Sequence, residues 1–160
     1  MRAGLLAILV FVVDQLTKWL VQTNLGMYES RTIIPGFFDI VHSTNTGIAF
    51  GIFARGPSAW RATALITFSV LALVLLGVIF WRTRGQSAWT TTGIALIFGG
   101  ALGNIVDRLR AGSVTDFLDF YVGSWHWYTF NVADTAITVG AGLLLLETLS
   151  RSRAERKAHA

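Results

Sequence analysis

Four stretches of the chain are almost continuously apolar, at 3–22, 62–81, 88–106 and 132–149. Each is close to the roughly 20 residues that a helix needs to cross a bilayer. The second and third stretches carry no charged residue, whereas the first contains Asp14 and Lys18 and the fourth contains Asp134 and Glu147. The pattern therefore predicts four transmembrane helices, two of which carry charges within the span.

The segment between the first two apolar stretches has a different pattern. Short runs rich in Ile, Val, Phe and Thr surround the Pro35-Gly36 turn, and they lie at 31–34, 37–43 and 47–53. Such runs, bounded by turn residues, are typical of strands. We expect a small β-sheet over about 31–53 that rests on the membrane surface, and a disordered charged end from Ser150 onward.

Composition and charge set the environment and the orientation. The chain is 53% hydrophobic and 14% charged, which is too apolar for an ordinary soluble domain. Basic residues are densest at the N-terminus, in the short segment 82–87 and in the C-terminal tail. Basic residues near span ends mark the cytoplasmic side, so both termini are predicted to be cytoplasmic. The fold class is then an all-α membrane protein of four helices, with an extracytoplasmic β-sheet between helices 1 and 2. The basic balance suits a membrane surface and gives no reason to expect a nucleic-acid partner.

The residue inventory excludes several kinds of catalysis. There is no cysteine, and the three histidines, His42, His126 and His159, occur without an HExxH or GxSxG motif. Thiol, zinc-dependent and serine-hydrolase chemistry therefore have no support. We expect no metal and no cofactor. Acid–base chemistry on aspartates is what remains.

Two aspartates flank the segment between the third and fourth spans. Carboxylates at the edge of a membrane are costly, so Asp116 and Asp134 are functional candidates. A hairpin between the spans could bring them face to face as a catalytic pair, with Asp119 as an alternative to Asp116. In the other interpretation Asp134 only caps the fourth helix, because Asn131 three residues earlier could complete a capping box. Spacing alone leaves both open.

Other polar residues lie within or at the ends of spans. At the end of the third span, Asn104, Asp107 and Arg108 share one helix face. They are either part of a site or a fraying helix end in which Asp107 pairs with Arg110. In the first span, Asp14 and Lys18 are spaced for an i, i+4 pair, roughly 17 Å into the bilayer. We expect that pair to fix helix packing near mid-bilayer, far from Asp116 and Asp134.

Five motifs in a fixed order resemble those of bacterial lipoprotein signal peptidases, the signal peptidase II family. They are DQLTK at 14–18, HSTNTGIAFG at 42–51, GGALGNIVDRL at 99–109, VTDFLDF at 114–120 and FNVADTAITVG at 130–140. The resemblance covers nearly the whole chain. It implies a single integral membrane peptidase domain over 1–160 in the bacterial cytoplasmic (inner) membrane, with the sheet as a cradle over an active site near the outer face.

The resemblance also implies residue roles and partners. Asp116 and Asp134 match the catalytic dyad, and Asp14 with Lys18 matches the polar pair of the first helix. Asn45 matches an asparagine that helps to bind substrate and peptide inhibitors. The polar residues around the dyad are matched by Asn104, Asp107, Arg108 and Asn131. Of these, we expect Asn104, Arg108 and Asn131 to bind substrate together with Asn45, and Asp107 to belong to the structural polar network of Asp14 and Lys18. The implied substrates are prolipoproteins, cut before a diacylglyceryl-modified cysteine. The other implied partners are membrane lipid and peptide antibiotics such as globomycin.

Two alternatives to a peptidase, from other functional classes, remain open. A small transporter could use Asp14, Lys18, Asp107, Asp116 and Asp134 as a proton relay, although four spans are few and no inverted repeat is visible. A noncatalytic assembly subunit could pack through its glycines. Cleavage of a lipidated signal peptide without ions or a gradient distinguishes the peptidase from both.

Overall fold

The computed structural model describes residues 2–47, 58–82 and 87–158. Within these ranges the chain forms four helices and four strands. The helices are α1 (Arg2–Asn24), α2 (Ser58–Arg82), α3 (Ala88–Ala111) and α4 (Val132–Ala158). The strands are β1 (Ser30–Ile34), β2 (Phe38–Asn45), β3 (Val114–Val122) and β4 (Trp125–His126).

Three of the predicted spans are helices long and apolar enough to cross a membrane. They are Arg2–Asn24, Ala88–Ala111 and the Val132–Ser152 part of α4. Large apolar side chains on the outer face of α1, such as Leu5 and Ile8, are well exposed, as expected where lipid is the solvent. Helix α2 has 25 residues, but its described apolar part, Thr63–Leu75, is shorter than a span.

Helix α3 lies at the centre of the helices and approaches its neighbours through glycines. A Cβ on Gly99 would lie 2.5 Å from the Ala7 carbonyl oxygen, and one on Gly100 would lie 2.5 Å from the Ala133 carbonyl oxygen. The same Cβ on Gly103 would collide with the Asp14 carboxylate. These glycines therefore allow close helix packing, and they bring α1 and α4 against the same stretch of α3.

The sheet differs from the prediction in its strand composition. Its order is β1-β2-β3-β4, so the strand beside β2 comes from the segment after α3 and not from 47–53. In the antiparallel β2–β3 pair, Ser43 lies opposite Asp116 and Asn45 opposite Val114. Most of 47–53 belongs to residues 48–57, which lie outside the described residues. Strand β3 was missed because its first residues are buried on both faces, which removes the alternation that marks a half-buried strand.

Two helix ends also differ from the prediction. Helix α3 continues past residue 106 to Ala111, where Gly112 adopts a left-handed conformation (φ 71°) and donates its N–H to the Arg108 carbonyl oxygen. Asp107 and Arg108 are thus inside a capped helix and not at a fraying end. Helix α4 continues to Ala158, so the prediction of disorder from Ser150 was wrong for 150–158. This stretch lacks Gly and Pro, and the Glu147–Arg151 pair (2.8 Å) supports its start.

The glycine packing predicts opposite effects for one substitution at two helix positions. Gly100→Ala should lower the free energy of unfolding by about 1 to 3 kcal/mol, because the new Cβ collides with the α4 backbone. Gly142→Ala on α4 meets no atom within 4 Å, so it should raise stability by about 0.5 to 1 kcal/mol through helix propensity. Denaturant unfolding in detergent measures both. Equal effects at the two positions would contradict the close approach.

Candidate active site

Strand β3 carries the first of the two candidate aspartates into the interior. Asp116 is only 3% exposed. Its Oδ2 accepts a hydrogen bond from Asn45 Nδ2 at 3.1 Å, and its Oδ1 accepts one from Asn131 Nδ2 at 2.7 Å. Because Asn45 is on the neighbouring strand β2, the strand pairing itself brings the amide to the carboxylate.

The first turn of α4 carries the second aspartate. Asp134 N donates to Asn131 Oδ1 at 2.9 Å, and Asn131 N donates to Asp134 Oδ2 at 3.3 Å. This is the reciprocal capping box that the spacing allowed. The cap uses only Oδ2 of the Asp134 carboxylate. The other oxygen, Oδ1, accepts a hydrogen bond from Asn104 Nδ2 at 2.8 Å. Capping and membership of a site are therefore compatible.

Asn131 joins the two carboxylates. It is completely buried, and it bonds Asp116 through its side-chain amide and Asp134 through its backbone and side-chain oxygen. The isolated bridge between Phe130 and Leu118 fixes it there, because it pairs the residue before α4 with β3. The hairpin predicted between the third and fourth spans therefore brings Asp116 and Asp134 to one site.

The two carboxylates have unlike surroundings. Burial, and after it the negative charge of Asp134, raise the pKa of the Asp116 carboxyl to about 7. Hydrogen bonds from Asn45 and Asn131 and the charge of Lys18 act in the opposite direction and are outweighed. Asp134 lies at the N-terminal end of α4, where the helix dipole favours negative charge. The site thus holds a carboxyl with a raised pKa on β3 beside a second carboxyl in the first turn of a helix.

Arg108 lies beside Asp116 and Asp134, and one of its N–H donors has no hydrogen-bond partner among the described residues. Its Nη1 donates to the Asn104 carbonyl oxygen at 3.3 Å and its Nη2 to the Gly47 carbonyl oxygen at 3.4 Å. Its Nε is buried without a hydrogen-bond partner among the described residues. Gly47 N donates to Asn45 Oδ1 at 2.9 Å. Arg108 and Asn45 therefore meet at the segment that follows β2, over one side of the aspartates.

A buried ionic cluster lies directly beneath the pair. Lys18 Nζ is 2.9 Å from both Asp14 Oδ2 and Asp107 Oδ2, so the expected i, i+4 pair forms and a third group joins it. The cluster is not far from the dyad, and that part of the prediction was wrong. Lys18 also donates to Asn104, which holds Asp134. Asp14 Oδ1 accepts the Ala133 N–H at 2.9 Å. Position along α1 alone could not give this proximity, because it does not include how far β3 and the start of α4 reach into the helices.

Sequence reasoning missed two polar residues of this cluster. Gln15 Nε2 donates to Asp107 Oδ1 at 2.9 Å and lies 3.3 Å from Asp14 Oδ2, so it bridges the two acids. Thr115 accepts from Gln22 at 2.6 Å and donates its backbone N–H to Asp107 at 3.4 Å. Gln15 could have been identified, because it is a polar residue next to Asp14 within an apolar span. Thr115 had no such sequence signal, because its strand was not predicted.

Asp119 belongs to a different cluster. Its carboxylate lies 2.9 Å from His126 Nδ1 of β4, and across the sheet it is paired with Asp39. Along a strand, side chains alternate between faces, so Asp119 and Asp116 point to opposite sides of β3. No group of three or more His, Cys, Asp or Glu residues in the described part of the chain could hold a metal ion.

Known structures place the fold among membrane enzymes. Two solved structures, both described as a bacterial membrane enzyme studied by the in meso method, are 32% identical to this chain. The first has a TM-score of 0.83 and the match covers 94% of this chain and 89% of that one. The second has a TM-score of 0.80, with 92% of both chains covered.

Sequence comparisons give the particular family. Residues 6–150 match the family described as Signal peptidase (SPase) II. A lipoprotein signal peptidase of Solibacter usitatus is 47% identical over 147 residues, which are 92% of this chain and 90% of that protein. One of Desulforapulum autotrophicum is 45% identical over 140 residues, with 87% and 86% covered. The chain belongs to the signal peptidase II family, a family of aspartic peptidases.

The surroundings of Asp116 predict how its titration responds to its neighbours. Asp134→Asn should lower the pKa of Asp116, because it removes a like charge, and Asn45→Leu should raise it, because it removes a donor to the carboxylate. Asp119→Asn should leave it unchanged. The carboxyl infrared band, followed against pH and assigned by its loss in Asp116→Asn, measures the shift. A pKa near 4 in the unaltered protein would contradict the buried pair.

Proposed function

We propose that the site formed by Asp116 and Asp134 removes signal peptides from diacylglyceryl-modified prolipoproteins, cutting before the lipidated cysteine. The chain is a protease of the lipoprotein signal peptidase family. The proposal for the residues rests on one observation. The two aspartates are held by the same asparagine in unlike surroundings, as acid–base catalysis by a carboxyl pair requires.

The roles follow from the surroundings of each carboxyl. Asp134 is the base, because it accepts hydrogen bonds from Asn104 and from the Asn131 backbone at a helix N-terminus. Asp116 is the acid, because its raised pKa of about 7 keeps a proton on it. The pair is coupled, so the observed pH dependence belongs to both groups together.

The reaction then needs one water molecule and no cofactor. The oxygen of the water molecule attacks the scissile carbonyl carbon while Asp134 takes a proton from this water, and Asp116 donates a hydrogen bond to the carbonyl oxygen. When the C–N bond breaks, Asp116 gives its proton to the leaving amine. One proton has entered the pair and one has left, so the pair again holds a single proton with the roles exchanged.

Arg108 and Asn45 bind the substrate in this proposal. The buried Arg108 Nε has no partner among the described residues, so it can donate to a peptide carbonyl near the dyad. Asn45 already contacts Asp116 and Gly47, and it can orient the peptide backbone beside the acid. The amides of Asn104 and Asn131 are bonded to the carboxylates, so their part is to hold the dyad. Peptide antibiotics such as globomycin would compete for Asn45 and Arg108.

We further propose four transmembrane helices with both termini in the cytoplasm of a bacterial cell, in the inner membrane. The sheet supports this topology. Strands β2 and β3 follow α1 and α3 and pair with each other, so the C-terminal ends of these helices meet on one side. Helix α2 must then return the chain to the other side, and its 25 residues are long enough. The dyad lies on the sheet side, where a lipidated substrate could enter laterally with its acyl chains in the bilayer.

The transporter alternative is not favoured. Its proton relay would use the same aspartates, but the family and the relatives are peptidases. The buried Asp14, Lys18 and Asp107 bond to one another and to the elements that hold the dyad, which gives them a use without transport.

Substitution of each aspartate by asparagine tests the dyad. Asp116→Asn and Asp134→Asn should each lower the cleavage rate of a lipidated prolipoprotein by about 10³-fold or more, because the amide cannot transfer the proton. The double variant should cost about as much as either single one. Asp119→Asn, of the same chemistry on the other face of β3, should keep most activity. Substantial turnover in either dyad variant would refute the assignment.

Cysteine labelling tests the topology, and the absence of native cysteine makes each added thiol unique. Ser30, Ser124 and Ser152 are exposed in the structure. In intact spheroplasts a membrane-impermeant maleimide should label Ser30→Cys and Ser124→Cys, whereas Ser152→Cys should react only after lysis. Ser30 and the β3–β4 turn that contains Ser124 belong to one sheet, so labelling of these two positions on opposite sides would contradict the sheet pairing. Labelling of Ser152→Cys in intact spheroplasts would contradict a cytoplasmic end of α4, and with either result the four-span arrangement fails.

A further inference from the structure

Lys18 makes three contacts from the interior of the helices. Its side chain is 2% exposed. The ammonium contacts Asp14 Oδ2 and Asp107 Oδ2 as ion pairs at 2.9 Å each, and it donates to Asn104 Oδ1 at 2.9 Å. An ammonium has three protons and no acceptor. Two of these protons are donated, to Asp14 and to Asn104, and Asp107 adds a second ion pair. The hydrogen bond to Asn104 is the contact that leaves the ionic cluster.

The hydrogen bond from Lys18 Nζ to Asn104 Oδ1 fixes which way the Asn104 amide points. An asparagine amide has an oxygen that accepts and a nitrogen that donates, and rotation by half a turn exchanges them. With Oδ1 held by Lys18, Nδ2 faces Asp134 Oδ1 at 2.8 Å. The opposite orientation would direct an N–H at an ammonium and an oxygen at a carboxylate, two repulsive contacts in a buried place.

We propose that Lys18 is a positioning residue for the dyad: through the Asn104 amide it keeps a donor on Asp134 and so keeps this carboxyl the proton acceptor. The inference rests on the proposed function of Asp116 and Asp134. It gives Lys18 a part in the chemistry in addition to its part in helix packing, although Lys18 touches neither carboxyl of the dyad.

The docking of α1 holds the ammonium in register with Asn104. Asp14 bonds Lys18 with Oδ2 and the Ala133 N–H with Oδ1, so one carboxylate ties α1 to the first turn of α4. Gly103, one residue before Asn104, has no side chain to keep Asp14 away. The lysine, the amide and Asp134 are thereby fixed by backbone contacts of three helices.

The charged groups around Lys18 decide the pH behaviour of variants. They are Asp14 on its own helix, Asp107 and Arg108 on α3, Asp134 on α4 and Asp116 on β3. Removal of the lysine charge makes negative charge on the dyad less favourable, because Lys18 contacts the Asn104 side chain that donates to Asp134, and its positive charge favours the ionised form of Asp116. The pH–rate profile should then move to higher pH.

Kinetics of two lysine variants test the proposal. In Lys18→Met we expect kcat for cleavage of a lipidated prolipoprotein to fall by about 100-fold with KM nearly unchanged, since the substrate groups Asn45 and Arg108 are retained. Lys18→Met/Asp107→Asn removes one cation and one anion, so the cluster keeps its net charge. It should show a similar loss in kcat with a smaller displacement of the pH–rate profile.

Gln15→Leu is the matched control. Gln15 bonds Asp14 and Asp107 but not Asn104, so its loss perturbs the same buried layer without freeing the amide. Its kcat and pH–rate profile should stay within about twofold of the unaltered protein's, a spread below the effect of a lost positioning contact. If the lysine variants fold and lose activity without any change in the profile, or if Gln15→Leu behaves as they do, Lys18 has only a packing role.

A distance measurement on the unaltered protein decides the matter if the lysine variants do not fold. Lys18 and Lys157 are the only lysines in the sequence, so ¹⁵Nζ-lysine gives two signals. Dipolar recoupling with ¹³Cγ-asparagine in bilayers should find one asparagine carbon about 3.5 to 4 Å from the Lys18 nitrogen, and Asn104→Ser should abolish it. Absence of that coupling overturns the proposal. An inactive Asp119→Asn with active Asp116→Asn would instead overturn the proposed dyad.

Discussion

The buried ammonium of Lys18 is the interaction on which the other parts of the site depend. In hydrocarbon no water can satisfy a polar group, so every charge must find its partners within the protein. Lys18 meets this requirement with one contact to its own helix and two to α3. The ion pairs are not a large source of stability, since desolvation offsets much of the attraction. What they supply is a specific register of α1 on α3, because Asp14 from α1 and Asp107 and Asn104 from α3 contact the same ammonium.

The proposed catalytic groups build on that arrangement through amides. Asn104 uses Oδ1 for Lys18 and Nδ2 for the Asp134 carboxylate. Asn131 uses Oδ1 for the backbone N–H of Asp134 and Nδ2 for the Asp116 carboxylate. Amides suit this use because they carry a donor and an acceptor in fixed relation and no charge that would compete with the dyad. The result is a graded environment, from a charged cluster, through neutral amides, to the two carboxyls.

The sequence predicted much of this because the bilayer restricts the solutions. Apolar length located three described spans, and the resemblance to known motifs located Asp116 and Asp134, which the structure brings together. The sequence could not give β3, because burial on both faces hides the period of a strand. The paired residues of β2 also lie far away in the chain, from 69 positions earlier (Asn45 and Val114) to 82 (Phe38 and Phe120). It also could not give Lys18 as a neighbour of the dyad. That proximity depends on how deeply the first turn of α4 enters the helices, a tertiary property that spacing along one helix does not contain. The end of α4 was missed for a simpler reason, since charge was taken as a sign of disorder although the residues favour a helix.

The pairing of β2 with β3 has a consequence for the order of assembly. Asn45 and Asp116, which meet in this sheet, are separated by 71 positions in the chain. In the four-span arrangement β2 is exported soon after α1 and has no neighbour on one edge until α2 and α3 have been inserted and β3 has emerged. An unpaired edge is a place for wrong pairing, and contacts of such long range form late. In this arrangement the proposed catalytic site is completed only after α3, β3 and the start of α4 have been made, so a nascent chain that lacks them carries only the Asn45 side of the site.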